Sequence, residues 1–218
     1  MLVTALLATL ATCQPVALPT PRLHAPVDAV GDSVLRSLFD RGQTFGEFVE
    51  KASARREGWL RLQRDADVAP ALLARARAVG GTWQLLVIAI DRCGDSMNSV
   101  PYAARLADSV PGLSLRIVLP TEGKRVQESH RSLDGRTATP TLVLLDAGGN
   151  DVGCLVELPA PLRQWNHNNR GVVSDDSLHA YRSSFYAKDR GVSVTTELVE
   201  LLEAAKSGAP RCDRQAAR

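Results

Sequence analysis

The residues able to do nucleophilic or metal chemistry in this 218-residue chain are few: four cysteines, Cys13, Cys93, Cys154 and Cys212, and four histidines, His24, His130, His167 and His179. Cys93 stands out by its neighbours. The apolar run Trp83–Ile90 leads into it, Asp91-Arg92 separates the two, and Met97, Val100, Ala104 and Ala107 follow at helical spacing. This pattern predicts a buried strand running into a helix whose first residues are Cys93-Gly94-Asp95-Ser96. Unpaired backbone N–H groups and the positive end of the helix dipole favour thiolate over thiol there. The thiolate is the nucleophile, so the chemistry expected is thiol–disulfide exchange. Arg92 would assist it and Asp95 would oppose it.

The other candidates are weaker. No two cysteines form a C-x-x-C pair and no two histidines form an i, i+4 pair, so the spacing predicts no metal site and no cofactor. A disulfide scaffold is not expected at this length. Cys154 falls within a predicted strand and reads as a small buried hydrophobe. As a resolving partner for Cys93 it would need a Cα separation within about 7 Å. Cys212 falls in a C-terminal stretch without apolar periodicity that reads as disordered, free to reach Cys93 or not. His130 and His179 read as surface residues.

Bulk properties exclude several classes. Apolar residues make up 44% of the chain and charged residues 23%, enough for a sizeable core, and the formal net charge of +2 offers no basic field for nucleic acid. Met1–Thr12 has the length of a signal-peptide apolar region without its basic flank. Leu10-Ala11-Thr12-Cys13 resembles a bacterial lipoprotein cleavage box, in which Cys13 would carry the lipid. The only membrane association expected is that anchor, and export and a cytoplasmic location both stay open.

Residues 1–26 therefore read as a signal or lipoprotein segment with a proline-rich tether. Residues 27–66 read as an N-terminal helical extension, 67–163 as the central domain, 164–206 as a C-terminal helical extension and 207–218 as a disordered tail. Within the extension, Val27–Phe39 reads as a short helix. Thr44-Phe45-Gly46-Glu47 spells a capping box opening one helix to about Arg64. Pro70 opens a second, stopped by Gly80-Gly81. Strands are predicted at Leu85–Ala89, Leu113–Leu119, Thr141–Leu145 and Val152–Glu157, the last two as a hairpin, with a polar helix at Thr121–Leu133. Gln164–Arg170 reads as a loop, and Asp175–Lys188 and Thr195–Lys206 as helices. The order gives an α/β chain with a mixed sheet covered by helices.

Leu85–Glu157 resembles a thioredoxin-fold protein. The resemblance rests on the strand into Cys93-Gly94-Asp95-Ser96, on Pro101 eight residues after the cysteine, on Arg136-Thr137-Ala138-Thr139-Pro140-Thr141-Leu142, and on the Gly149–Gly153 hairpin. More narrowly, it is similar to bacterial thioredoxin-like proteins with a Cys-Gly-Asp-Ser segment. The resemblance implies that Pro140 is cis and packs against Cys93, that Pro101 kinks the helix, and that Gly94 and Thr139 leave backbone open to an extended partner. It assigns Cys93, Ser96 and Pro140 to the catalytic positions and Arg92, Gly94, Asp95 and Thr139 to substrate binding. Three departures matter. Ser96 stands where a second cysteine would, Arg92 where a tryptophan is usual, and Val87 where an acid is often buried. A serine cannot resolve a mixed disulfide. One expectation is therefore monothiol exchange through Cys93, with protein or peptide thiols and disulfides as partners and a small thiol such as glutathione as resolver. The other is a redox-inactive module binding a peptide or protein in the groove beside Pro140.

Overall fold

The computed structural model describes residues 30–209 and 211–212. The leader and tether assigned to residues 1–26, including Cys13, lie outside them. Chain order begins with four helices, α1 (Asp32–Arg41), α2 (Phe45–Lys51), α3 (Arg56–Asp65) and α4 (Pro70–Val79). Strand β1 (Trp83–Ile88), helix α5 (Gly94–Ser109), strand β2 (Leu113–Val118) and helix α6 (Pro120–Ser129) follow. The hairpin is β3 (Thr141–Leu145) and β4 (Asp151–Val156). The chain closes with α7 (Ala160–Asn169), α8 (Asp175–Asp189), α9 (Val192–Lys206) and a two-residue strand, β5 (Arg211–Cys212).

One sheet forms in the order β2-β1-β3-β4-β5. β1 runs parallel to β2 and antiparallel to β3, β3 and β4 are antiparallel, and β4 and β5 are parallel. The sheet is buried on both faces, which explains why β1 is an apolar run rather than an alternation. Leu85 and Val87 point into the larger core with Leu142, Leu144 and Leu155, under α3, α4, α5 and α9. Leu86 and Ile88 point the other way with Val143 and Leu145, under α1. On that second face α6 crosses β1 at Gly123, where a Cβ would strike the side chain of Ile88. Among the described residues no helix is long and apolar enough to cross a membrane.

The expected α/β architecture and the four strands are present in a single sheet. Several local expectations are corrected. The single helix from Phe45 to about Arg64 is two, α2 and α3, because the carboxylate of Asp91 draws the intervening Ser53 and Ala54 N–H groups out of helical register at 2.9 Å each. The capping box does form, with Thr44 accepting from the Glu47 N–H and Glu47 accepting from the Thr44 N–H. Gln164–Arg170 belongs to helix α7 and its C-cap rather than to a loop. A polar sequence is held helical by tertiary partners: Glu197 of α9 accepts from the Ala160 N–H at 2.8 Å and pairs with Arg163 at 2.7 Å. The stretch read as a disordered tail contains β5, which seats on the open edge of β4 with Cys154 opposite Cys212.

A candidate active site at the start of α5

Cys93 is the N-cap of α5, in extended backbone at φ −79°, ψ 122°. Its sulfur accepts from the Ser96 N–H at 3.4 Å, so the thiol occupies the place of a capping oxygen among the free N–H groups of the first turn. The thiol donates to the carbonyl of Thr139 at 3.2 Å. The Thr139–Pro140 peptide bond is cis. Helix terminus and cis-proline loop thus meet at one sulfur, which is partly exposed. Thr139 is also partly exposed, and among the described residues its N–H has no hydrogen-bond partner. Pro101 lies inside α5, two turns on.

Three segments distant in sequence hold this junction. The first is the α2–α3 turn. Asp91 accepts from Ser53 and Ala54 as above, its carbonyl accepts from the buried Trp59 indole at 2.8 Å, and Arg55 Nε donates to the Arg92 carbonyl at 2.8 Å. Burial works against the Asp91 carboxylate, but the Ala54 and Ser53 hydrogen bonds outweigh it and hold its pKa below the ordinary value. Arg55 also places its guanidinium about 4 Å from where a Cβ on Gly94 would sit. A cation therefore stands over the helix N-terminus, supplied by Arg55. Arg92, expected to supply it, is exposed. Beside it an open hollow of about 500 Å³ is lined by Ser53, Arg55, Arg56, Glu57, Gly58 and Met97.

The second segment is the cis-proline loop. Arg136 Nε donates to Asp134 at 2.7 Å and its Nη2 donates to Glu157 at 3.0 Å, while Arg170 adds a 3.0 Å contact to Asp134. Burial opposes ionisation of Asp134, yet the Arg136 and Ser132 hydrogen bonds and the two guanidinium charges pull its pKa down to about 2. From inside, Gln127 donates to the Ala138 carbonyl at 2.6 Å and the Glu157 N–H donates to the Pro140 carbonyl at 2.8 Å.

The third is α8, which reaches Asp95. Tyr186 donates to Asp95 Oδ1 at 2.9 Å, and Arg182 lies 3.4 Å from Oδ2 while also donating to Asn166 of α7. Burial pushes the Asp95 carboxyl up despite Arg182 and Tyr186, and burial with the neighbouring Asp95 raises the Tyr186 phenol well above its usual value. Asp95, expected at the substrate, is thus engaged with α8. Ser96 is fully buried, and its hydroxyl has no hydrogen-bond partner among the described residues.

The structure brings Cys93, Gly94, Ser96, Thr139 and Pro140 together as the sequence predicts. It adds Arg55, Asp91, Trp59, Arg182 and Tyr186, none of which any motif marks, and gives Arg136, the first residue of the cis-proline motif, a supporting role that the motif did not assign. The remaining cysteines require a correction. Cys154 is not a lone buried hydrophobe and Cys212 is not free to reach Cys93: the two form a disulfide, with Cα atoms 4.5 Å apart across the β4–β5 pair. Neither can resolve an adduct on Cys93 while so bonded. His130, read as a surface residue, is 2% exposed. The histidines and cysteines are also less scattered in space than in sequence, since a ring nitrogen of His130 lies within 4.8 Å of both sulfurs.

A mixed sheet with a cysteine at the N-terminus of the helix after its first strand in the chain, set against a cis-proline, defines a thioredoxin-fold protein. The chain belongs to the thioredoxin family, whose model, described as thioredoxin, matches residues 42–170. Two solved structures share the fold with a TM-score of 0.61. One is a protein of unknown function from Pseudomonas aeruginosa, 21% identical over 78% of this chain and 97% of its own. The other is an HIV epitope-scaffold, 20% identical with the same coverage. Among curated proteins none matches.

Proposed function

We propose that this protein is a monothiol thiol–disulfide exchanger acting through Cys93. The observation that carries the reading is the position of the Cys93 sulfur, shared between the Ser96 N–H at the start of α5 and the carbonyl before a cis-proline, with no other free cysteine among the described residues. The Cys93 thiolate attacks one sulfur of a substrate disulfide. A Cys93 mixed disulfide forms, the substrate's S–S bond breaks, and the second substrate sulfur leaves as a thiolate. An external monothiol then attacks the adduct, frees Cys93 and departs as the mixed disulfide. Arg55, on the rim of a hollow of mixed charge that also carries Arg56 and Glu57, offers a cation to a small thiol bearing both a carboxylate and an amine, the class to which glutathione belongs.

In this scheme each neighbour has a physical task. The Ser96 N–H stays on the sulfur as charge develops, and Arg55 adds a cation over the same helix end. Thr139 presents an N–H to an extended substrate segment, a form of edge pairing. The experiment is to expose the protein to a disulfide-bonded peptide without reductant. A Cys93-linked adduct should accumulate by mass spectrometry, and glutathione should discharge it. Failure of Cys93 to trap any disulfide at full fold removes the reading.

The unpartnered Thr139 N–H also supports a redox-inactive module that holds a peptide or protein beside Pro140. Cys93→Ser separates the two readings: exchange must vanish with the sulfur, whereas peptide affinity in a pure binding module should survive it.

A further inference from the structure

The Cys154–Cys212 disulfide lies on the other side of the sheet from the Cys93 helix. Cys154 sits directly opposite Val143, whose side chain belongs to the core beneath α1, whereas α5 packs on the opposite face. The bridge is asymmetric. Cys154 is wholly buried against Ala138 and Val156, and Cys212 is partly exposed on the edge strand. Beside the buried sulfur stands His130, the one fully buried histidine among the described residues. Its ring has Nδ1 2.8 Å from the Val126 carbonyl and Nε2 2.7 Å from the Asp151 carboxylate. The Ser129 hydroxyl lies 3.0 Å from the same Nδ1. The carboxylate that faces this ring belongs to the first residue of β4, the same strand that carries Cys154.

What fastens β5 is equally plain. It pairs with β4 at two positions only, Gly153 with Arg211 and Cys154 with Cys212. Gly153 permits this approach, since a Cβ there would stand 3.0 Å from the Arg211 carbonyl oxygen. The Arg211–Glu200 ion pair is solvent-exposed on both sides and contributes little. A strand of two residues does not hold itself to a sheet edge, so the covalent bond is the fastening.

We infer that Cys154–Cys212 is a second thiol–disulfide centre, a latch that an external dithiol opens with His130 as the proton source, releasing β5 from the β4 edge. The reductant's thiolate attacks the accessible sulfur of Cys212. The Cys154–Cys212 bond breaks, its electron pair stays on Cys154, and His130 supplies the proton there. The reductant's second thiol then attacks the mixed disulfide on Cys212 and frees it. The protein disulfide gains two electrons, the dithiol is oxidised to a disulfide, and its two protons are balanced by those on Cys154 and Cys212, His130 being reprotonated from solvent. The products are a folded protein with two thiols and an uncovered sheet edge. This inference does not rest on Cys93.

The test uses the full chain carrying Cys93→Ser, so that failure of the Cys93 reading cannot affect it. Dithiothreitol is added without denaturant, thiols are counted by alkylation and mass spectrometry, and amide hydrogen exchange is compared before and after. The expected result is reduction with the native circular dichroism retained and faster exchange at residues 151–156 and 211–212 alone. His130→Gln should slow the reduction by roughly tenfold or more, as loss of a positioned acid does. Reduction no faster than global unfolding, or β4 amides unchanged by it, overturns the latch. An unchanged rate in folded His130→Gln overturns the role of His130. Should that variant not fold, Asp151→Asn, which unseats the ring without removing it, must slow reduction by the same test or the role is withdrawn.

Discussion

Replacing Ser96 by cysteine asks whether Cys93 sits in the scaffold of a complete redox site that lacks one sulfur. The Ser96 hydroxyl is fully buried and makes no hydrogen bond among the described residues, so the exchange breaks no partner and removes an unsatisfied polar group. Such a group costs about 1–3 kcal/mol, so the reduced variant should be at least as stable as the parent, less any strain from the larger sulfur. Residues three apart on a helix have Cβ atoms about 5–6 Å apart, close enough to reach disulfide geometry with a small adjustment of the first turn. Closing a loop this short contributes about 2 kcal/mol by the chain-entropy relation, which for a chain of this length is a rise in Tm of roughly 4–8 °C on oxidation. Function should change more than stability. A thiol held within the same turn acts at an effective concentration of about millimolar or more. An adduct on Cys93 then resolves without an external monothiol. In an insulin-reduction assay driven by an external reductant, Ser96→Cys should turn over continuously while the parent accumulates its mixed disulfide. If Cys93 and the introduced cysteine fail to join under oxidation, the placement of Ser96 against Cys93 is wrong. If they join and no turnover follows, the groove admits no substrate.

Other perturbations probe the supports of the site. Arg136→Ala removes the link between Asp134 and Glu157 across the cis-proline loop; reaction of Cys93 with a peptide disulfide should slow by several-fold more than its reaction with a small alkylating agent, as stopped-flow measurement of both would show. Gly123→Ala forces a methyl into Ile88 and should cost about 1–3 kcal/mol in urea unfolding, leaving the rate at Cys93 unchanged. For acid stability the signs oppose. Asp134 and Asp91 are held below their unfolded value of 3.8, so their contribution is complete above that value and lost as pH falls through the folded one, about 2 for Asp134. Solvent around Asp134 screens its share to about 1 kcal/mol. Asp95 is held above 3.8, so protonating it favours the folded state as pH falls, and Asp95→Asn should flatten that gain in a pH series of unfolding free energies.

What the sequence disclosed follows from the range of each interaction. The β1 strand, the Cys93 N-cap, the hairpin and the Thr44 capping box are set by patterns within a few residues, and they read directly. Cis Pro140 followed from resemblance on a local motif. Asp91 looked like a strand terminator because its true partners, Ser53 and Ala54, lie 38 and 37 residues away. That same distance hid the break between α2 and α3. The polar run of α7 has no helical stripe, since its helix depends on Glu197 of α9. Cys154 and Cys212, 58 residues apart, meet only because β4 ends the sheet with an open edge. Spacing in sequence carries no trace of such a meeting.

Asp95 joins these threads. A carboxylate in the first turn of α5 opposes charge on Cys93 if it points along the helix toward the sulfur, and it would then argue against a reactive thiol. Its oxygens instead take a phenol from Tyr186 and face the Arg182 guanidinium, both on α8, so the carboxylate has a hydrogen-bond donor and a counter-charge of its own. The neutralising groups come from a segment 87 and 91 residues further on, beyond the stretch that resembles thioredoxins. Arg55, from the opposite end of the chain, supplies the cation that the segment itself lacks in place. The environment of Cys93 is therefore composed by helices before β1 and after β4 rather than by the Cys-Gly-Asp-Ser segment, and two proteins sharing that segment can differ in reactivity through what their flanking helices bring to it.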